Sequence, residues 1–177
     1  MAIFERDKVP GATIDYRFDW SSVLGDDTIN SVAWSVSGVT AGATSNTTTT
    51  ATQRASGGSV GTPATIRCTI TTTAGYVYEA TLRLTLVTSV EAGSAIKKTP
   101  NEVVPVPAPT YTDLGTDTAA SYNWAAAAGL TIDSGGSSST VVISGGTSPN
   151  DYALTCTTTF TSGQIDARVR LIQVRDL

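Results

Sequence analysis

Apolar and polar residues alternate along two neighbouring stretches of the chain, and this alternation predicts two β-strands. The stretches are TIRCTIT, residues 65–71, and ATLRLTL, residues 80–86. TTAG, with a glycine at position 75, lies between them and predicts a hairpin turn. The residues expected to face inward are Ile66, Cys68, Ile70, Leu82 and Leu84.

The rest of the chain also favours β structure. Threonine is the most conspicuous residue type, and its branched side chain favours half-exposed strand positions. No long amphipathic helical window is present, and the alanine run 125–128 is bounded by Trp124 and Gly129. We therefore expect an all-β protein.

The chain contains an internal duplication. LGDDTINSVAW at 24–34 matches LGTDTAASYNW at 114–124, SGG at 56–58 matches 144–146, Cys68 matches Cys156, and EATLRL at 79–84 matches DARVRL at 166–171. The offset decreases from 90 to 88 to 87 residues between these matches. Four matches in the same order, with small changes of offset between strands, indicate two copies of one module.

About 80 residues per copy, with short strands and frequent turns, predict two tandem immunoglobulin-like β-sandwich modules. Prolines at 100, 105, 107 and 109 predict an extended linker between them. The expected segments are an N-terminal arm 1–9, a first module 10–90, a proline-rich linker 91–109 and a second module 110–177.

The alternation and the repeat together predict the two cores. The expected core residues are Trp34, Cys68, Leu82 and Leu84 in the first module, and Trp124, Cys156, Val169 and Leu171 in the second. Equivalent interior positions of two modules lie too far apart for a disulfide, so we expect Cys68 and Cys156 to be free. Free thiols fit folding in a reducing cytosol.

Composition excludes several functional classes. The chain has 177 residues, no histidine and only two cysteines, which removes serine–histidine catalysis and the usual zinc sites. A net charge of −4 argues against nucleic acid and anionic membranes as partners. No stretch is long and apolar enough for a transmembrane helix or a secretory signal.

The adjacent Asp26 and Asp27 are candidates for a metal site or for a turn. Two neighbouring carboxylates point apart on an extended backbone, and a calcium loop needs more oxygen ligands. Asp27-Thr28 recurs as Asp117-Thr118, which favours a shared structural role.

Carboxylates and aromatic residues near position 20 suggest two further chemistries. Asp15 and Asp19 would lie about 13 Å apart along a strand, too far for a pair of glycosidase carboxylates. Trp20, Tyr76 and Tyr78 could stack on sugars, although lone aromatic residues usually belong to a core or its rim. An enzyme is therefore not expected.

An ordered series of residues in the first module resembles a known family. The series is Lys8, Pro10, Asp15, Tyr16, Asp19, Trp20, Ser21, Leu24, Asp27, Thr28, Ile29 and Trp34, followed by an SGG turn and a threonine-rich hairpin. It is similar to the N-terminal pattern of the tailed-phage virion proteins known as fiber-tail adaptors. The resemblance covers about residues 8–88, and the second module departs from it by lacking the DY…DWS part.

This resemblance implies a non-enzymatic virion component, made in the host bacterial cytoplasm. It would link the tail or the head–tail junction to fibres or tailspikes. The implied partners are portal, adaptor or tail-nozzle proteins and the fibre, with several symmetric copies of this chain and no cofactor, nucleic acid or membrane. A capsid decoration protein and a surface-exposed immunoglobulin-like adhesin or carbohydrate-binding module remain open alternatives.

Four residues are candidates for contacts with such partners. Phe18, Asp19 and Trp20 belong to the part of the first module that does not recur in the second. Phe4 is the large apolar residue of the N-terminal arm, and we expect it to dock on a neighbouring subunit or on the tail. The alternative, a frayed terminus without a binding role, stays open.

Overall fold

The computed structural model describes residues 2–88, 90–91, 94–111 and 117–176. Leu114 and Gly115, which belong to the repeated sequence, lie outside these residues. The chain divides into two compact units, Met1–Thr88 and Ser89–Leu177, called module 1 and module 2 below. Almost all regular structure is β-strand, as the sequence predicts.

Module 1 consists of two sheets. Its described elements are β1 Ala2–Lys8, β2 Ile14–Asp19, α1 Ser21–Leu24, β3 Ile29–Ser37, β4 Thr40–Asn46, β5 Thr50–Ser56, β6 Ala64–Thr72 and β7 Val77–Leu86. One sheet has the strand order β1-β7-β6-β3, and the other has the order β2-β5-β4. The two sheets pack face to face, and the ring of Phe18 on β2 meets that of Trp34 on β3 at 5.5 Å.

Module 2 repeats this arrangement. Its described strands are β8 Val90–Glu91, β9 Ile96–Lys98, β10 Val104–Pro107, β11 Ala119–Ala126, β12 Leu130–Ser134, β13 Thr140–Gly145, β14 Asp151–Phe160 and β15 Ile165–Val174. β11, β14 and β15 form one sheet, with β8 and β9 both added in parallel to β15. β10, β13 and β12 form the other sheet. None of the helical segments described could span a membrane.

Two expected boundaries differ from the structure. Residues 1–9 were expected to form a separate arm, but Ala2–Lys8 pairs in parallel with β7 and completes a sheet of module 1. Residues 91–109 were expected to be a linker, but they contain β9 and β10, which belong to the two sheets of module 2. Local patterning cannot reveal either pairing, because a parallel or long-range strand partner lies far away in sequence.

The face of β15 is also opposite to the expected one. Cys156 pairs with Arg168, as Cys68 pairs with Ala80, so the offset between the modules here is 88 residues and not 87. Ile172 and Val174 consequently fill the core. Val169 and Leu171, expected in the core, fall on the other face and are half-buried.

The other expected core residues face inward. Cys68, Leu82, Leu84, Trp124 and Cys156 are buried, and both cysteines are free. The indole N–H of Trp124 donates to the carbonyl oxygen of Ser138 at 2.9 Å. Trp34, also expected in the core, is only half-buried, and its ring contacts that of Phe18.

A buried lysine connects the two sheets of each module. The Lys8 side chain is 1% exposed, and its ammonium donates to the carbonyl oxygens of Val9 at 3.0 Å, Ala12 at 2.7 Å and Gly57 at 2.9 Å. The bonds tie the end of β1 to the approach to β2 and to the glycine turn after β5. A buried charge is tolerated when hydrogen bonds replace its hydration in this way.

Module 2 contains the same device. Lys98 is 3% exposed, and its ammonium donates to the carbonyl oxygens of Thr99 at 2.7 Å and Gly145 at 2.6 Å. Gly145 is the counterpart of Gly57, and both have positive φ angles of 79° and 67°. The repeated SGG turn therefore presents a carbonyl oxygen to a lysine in both copies.

Asp27 and Asp117 brace equivalent hairpins. Asp27 accepts hydrogen bonds from the N–H groups of Thr28 at 2.8 Å and Ala74 at 3.3 Å. Asp117 accepts from the N–H of Thr118 at 3.0 Å and from the hydroxyl of Thr161 at 2.8 Å. These hydrogen bonds stabilise the turns, which is the shared structural role that the recurrence predicts. No cluster of metal-ligand side chains occurs in the described ranges.

We predict that Lys8→Met destabilises the protein, because the carbonyl oxygens of Ala12 and Gly57 lose their ammonium donor. The expected loss is about 3 kcal/mol in the free energy of unfolding, measured by urea denaturation. Lys97→Met is the control, since Lys97 is exposed on strand β9 of module 2 and should change stability by less than about 0.5 kcal/mol. Equal effects of the two substitutions would contradict the proposed role of Lys8.

We also predict that Asp117 contributes to acid sensitivity. Burial would raise the pKa of this carboxyl, but hydrogen bonds from Ser162 and Thr161 outweigh it and hold the pKa below 3.8. A lowered folded-state pKa stabilises the protein above the unfolded pKa, and the stabilisation is lost as pH falls through the folded value.

Asp117→Asn should therefore lower the melting temperature at neutral pH and flatten its decrease on acidification below about pH 4. Thermal unfolding followed by circular dichroism over this pH range is the measurement. Asp133→Asn is the control, since Asp133 is an exposed aspartate on β12. An unchanged pH profile for Asp117→Asn would refute the assignment.

Candidate functional site

The four residues expected to make partner contacts line one groove of module 1. The groove has a volume of about 540 Å³ and lies where β1, the edge of one sheet, runs beside β2, the edge of the other. Its lining residues are Phe4, Glu5, Arg6, Tyr16, Arg17, Phe18, Asp19, Trp20, Ser22, Val23, Ala80 and Leu82. The sequence brings these residues from three separate segments, so their proximity depends on the pairing of β1 with β7.

The four candidates have different roles in this groove. Phe4 is 54% exposed and lies directly opposite Leu82 in the parallel pairing of β1 with β7, so its ring faces the groove. Phe18 and Trp20 are 6% and 7% exposed and form part of the apolar wall. Asp19 lies at the exposed rim. Of the four contact candidates, only Phe4 and Asp19 therefore offer exposed surface.

Another apolar residue, Val23, extends the exposed surface. It lies on the short helix α1, lines the groove and is 50% exposed. Sequence reasoning did not identify Val23, because a single valine in a polar stretch carries no periodic signal. Large exposed apolar side chains next to an apolar groove are typical of a protein interaction surface.

The charged residues at the rim contact other residues of the groove. Arg6 lies 6.0 Å from the centre of the Tyr16 ring, and Arg17 lies 3.7 Å from Asp19. The N–H of Ser21 donates to Asp19 and, as the main cause, lowers the pKa of that carboxyl. Asp19 is therefore a hydrogen-bonded anion at neutral pH, and the groove has a polar rim around an apolar interior.

Asp15, the other carboxylate of β2, has a structural role. Its carboxylate accepts two hydrogen bonds from Arg54 on β5, at 2.7 and 2.8 Å. This bidentate pair links the two neighbouring strands β2 and β5 across the sheet. Asp15 thus serves the sheet that carries the groove wall.

Trp20 lies beneath the groove and next to the cysteine of module 1. Burial raises the pKa of the Cys68 thiol to about 12, although the nearby Trp20 indole lowers it slightly. Tyr111 takes the corresponding place in module 2, where burial raises the pKa of Cys156 and the Tyr111 hydroxyl opposes that shift. The ring of Trp20 is thus buried against the core and offers no face for stacking on a sugar.

The same location in module 2 is filled by the module's own side chains. Arg168 occupies the strand position of Ala80, and its guanidinium carbon lies 4.4 Å from the centre of the Tyr111 ring. It donates to Asp166 and to the carbonyl oxygen of Thr110, both at 3.2 Å. The groove of module 1 is therefore open where module 2 is occupied by an arginine stacked on a tyrosine.

The family model of the podophage GP4 fiber-tail adaptor protein gp77 matches residues 8–85 and again residues 98–173. The chain belongs to this family. Each match begins on a buried lysine, Lys8 or Lys98, and extends to the last strand of its module. The fiber-tail adaptor family unit is therefore a single module, and this chain contains two of them, as the internal repeat predicts.

Membership in the fiber-tail adaptor family confirms the resemblance noted in the first module. It gives the protein a structural role in a phage virion, where the family associates with other virion proteins such as tail and fibre. The match to residues 98–173 also shows that the second module belongs to the family although it lacks the DY…DWS series.

Other comparisons add little about function. No curated protein compared with the chain is a significant match. A solved structure of tandem immunoglobulin repeats of Dlar is 12% identical, with a TM-score of 0.37, and the match covers 97% of this chain and 93% of that one. A chimeric titin Z1Z2 is 11% identical, with a TM-score of 0.34 and coverages of 98% and 93%. Similarities at this level carry no argument about function.

We predict that both thiols of the folded adaptor are unreactive at neutral pH, because only the thiolate attacks and burial raises the pKa of both thiols. Alkylation by iodoacetamide, followed by mass spectrometry, should label Cys68 and Cys156 only after unfolding in denaturant. Rapid labelling of Cys68 in the native protein would contradict its position beneath the groove.

Proposed function

We propose that this adaptor is a non-enzymatic connector that attaches a fibre or tailspike to the tail or the head–tail junction. We further propose that the groove of module 1 holds one of these partners. The observation that carries the proposal is Phe4, which stays 54% exposed beside an apolar groove. Leaving a large aromatic side chain in water is unfavourable, whereas burying it at an interface stabilises a complex.

The remaining composition of the groove fits a protein partner. Its wall is apolar and aromatic, and its rim carries Glu5, Arg17 and Asp19. An apolar centre surrounded by polar residues is the usual anatomy of a protein interface. Several copies of the adaptor, arranged around a symmetry axis, would present the same groove repeatedly to their partners.

A carbohydrate-binding role receives less support. Sugar recognition by stacking needs an exposed aromatic face, and Trp20 is 7% exposed. Tyr76 is 64% exposed, but it lies on the hairpin between β6 and β7 and does not line the groove. The groove therefore favours a protein as the occupant.

Phe4→Glu tests the proposed function. It places a carboxylate at the groove and should weaken attachment by about 30-fold, the factor that corresponds to a hot-spot loss of about 2 kcal/mol. The measurement is the amount of adaptor and fibre in purified particles, by quantitative mass spectrometry. The fold should be retained, because Phe4 is mostly exposed, and thermal unfolding checks this.

Val60→Glu is the matched control. Val60 is an exposed apolar residue of module 1 that does not line the groove. Its replacement by glutamate introduces the same change of charge as Phe4→Glu. We expect particles with normal adaptor and fibre content. Normal particles with Phe4→Glu as well would refute the proposed role of the groove.

A further inference from the structure

We propose that module 1 accepts an extended segment of a neighbouring virion protein as an additional β-strand along β2, with the segment's apolar side chains in the groove. The proposal rests on the proposed function and specifies how the partner is held. Addition of a strand to a sheet edge is a general mode of peptide recognition, in which main-chain hydrogen bonds give affinity and side-chain pockets give specificity.

The register of β2 determines which backbone groups face outward. β2 pairs antiparallel with β5, and just beyond the strand the N–H of Trp20 donates to the carbonyl oxygen of Thr49 at 2.9 Å. Bonding alternates along an antiparallel pair, so Tyr16 and Phe18 direct their N–H and C=O groups toward β5. Arg17 and Asp19 direct theirs away from β5.

β2 is the edge of its sheet among the described residues of module 1. The outward backbone groups of Arg17 and Asp19 lie beside the groove that both residues line. An exposed edge with correctly spaced donors and acceptors is a template for another strand. The groove and the edge are thus two parts of one acceptor surface.

Module 2 lacks both parts. Its strand β10 is the counterpart of β2, since Val104 pairs with Ile143 as Ile14 pairs with Ala55. The outward positions of β10 hold Pro105 and Pro107, and Pro107 corresponds to Arg17. Proline has no N–H to donate, which prevents strand addition at an edge.

The side chains beside this edge also leave space in module 1 and fill it in module 2. In module 2, Arg168 and Tyr111 fill the location that corresponds to the groove. In module 1, Ala80 occupies the position of Arg168, and the space above it is open. A closed edge and a filled groove coincide in one copy, and an open edge and an open groove coincide in the other.

The groove determines the chemistry of the occupant. A strand beside β2 would place every second side chain in the apolar groove, between Phe4 and the wall formed by Phe18. The side chains between them would point outward next to Arg17 and Asp19. The occupant is therefore a segment of about five residues that alternates apolar with charged or polar residues.

A second copy of the adaptor does not meet this requirement. Its own β2 would bring Ile14, Tyr16 and Phe18, which are 4%, 2% and 6% exposed because they already fill their own core. These side chains are not available to enter the groove of a neighbour. The occupant must come with free apolar side chains, as an extended segment of another protein does.

Arg17→Pro and Arg17→Ala separate strand addition from side-chain contact. Both remove the arginine side chain, but only proline also removes the outward N–H. The fold should accept proline here, because Pro107 has this position in β10. We expect full-length Arg17→Pro to attach about tenfold more weakly than Arg17→Ala to purified particles that lack the adaptor, because the two variants share the loss of the side chain and differ in the outward N–H.

Each outcome of this pair has a defined meaning. Equal loss with both variants would show that the arginine side chain is the contact and would overturn strand addition, while leaving the proposed function intact. Normal attachment of both would also overturn it. If Phe4→Glu attaches normally as well, the proposed function itself fails. Thermal unfolding of Arg17→Pro must first show a folded module.

Amide hydrogen exchange provides a second readout that needs no substitution. The N–H groups of Arg17 and Asp19 should exchange rapidly in the isolated protein and be protected, by at least about tenfold, once it is bound to particles. Unchanged exchange at these amides would overturn the proposal. A purified protein that dimerises, and becomes monomeric with Arg17→Pro, would identify a second copy as the occupant and would also overturn it.

Discussion

A buried lysine ammonium holds each module together, and the groove depends on it. In module 1 the Lys8 ammonium binds the carbonyl oxygens of Ala12 and Gly57 and so joins the end of β1, the start of β2 and the turn after β5. These connections fix the spacing between β1 and β2, the two strand edges that border the groove. Lys98 repeats the arrangement in module 2. The ammonium thus takes the place of apolar packing at a point where three backbone segments converge.

The two modules share this framework but differ along one side. Where module 1 has alternating charged and aromatic residues in β2, module 2 has alternating prolines in β10. Where module 1 has Ala80, module 2 has Arg168, held by Asp166 and stacked on Tyr111. A duplicated domain with one open copy and one closed copy can use the first for recognition and the second for other contacts. The duplication therefore provides an internal comparison between an open and a filled location.

Sequence patterning predicted the parts of this fold that depend on neighbouring residues. The β6–β7 hairpin, the buried cysteines and the repeated aspartate turns all follow from local alternation and spacing. It failed for β15, where apolar Val169 and Leu171 face outward while Arg168 faces inward. The inward arginine is stabilised by Asp166 and Tyr111, and the tyrosine is distant in sequence. Sequence patterning likewise does not predict that Lys8 is buried. A lysine side chain is usually exposed to solvent, and the carbonyl oxygens that bind this one are identified only by the fold.

Module 1, and not module 2, is the copy proposed to hold the partner, through the edge of β2 and the adjacent groove. Electron cryomicroscopy of particles that contain the adaptor measures this directly. We expect an extended segment of another virion protein hydrogen-bonded to the backbone of Arg17 and Asp19, with apolar side chains against Phe4. Density that leaves this edge and groove exposed to solvent, with the partner bound elsewhere on the adaptor, would contradict it.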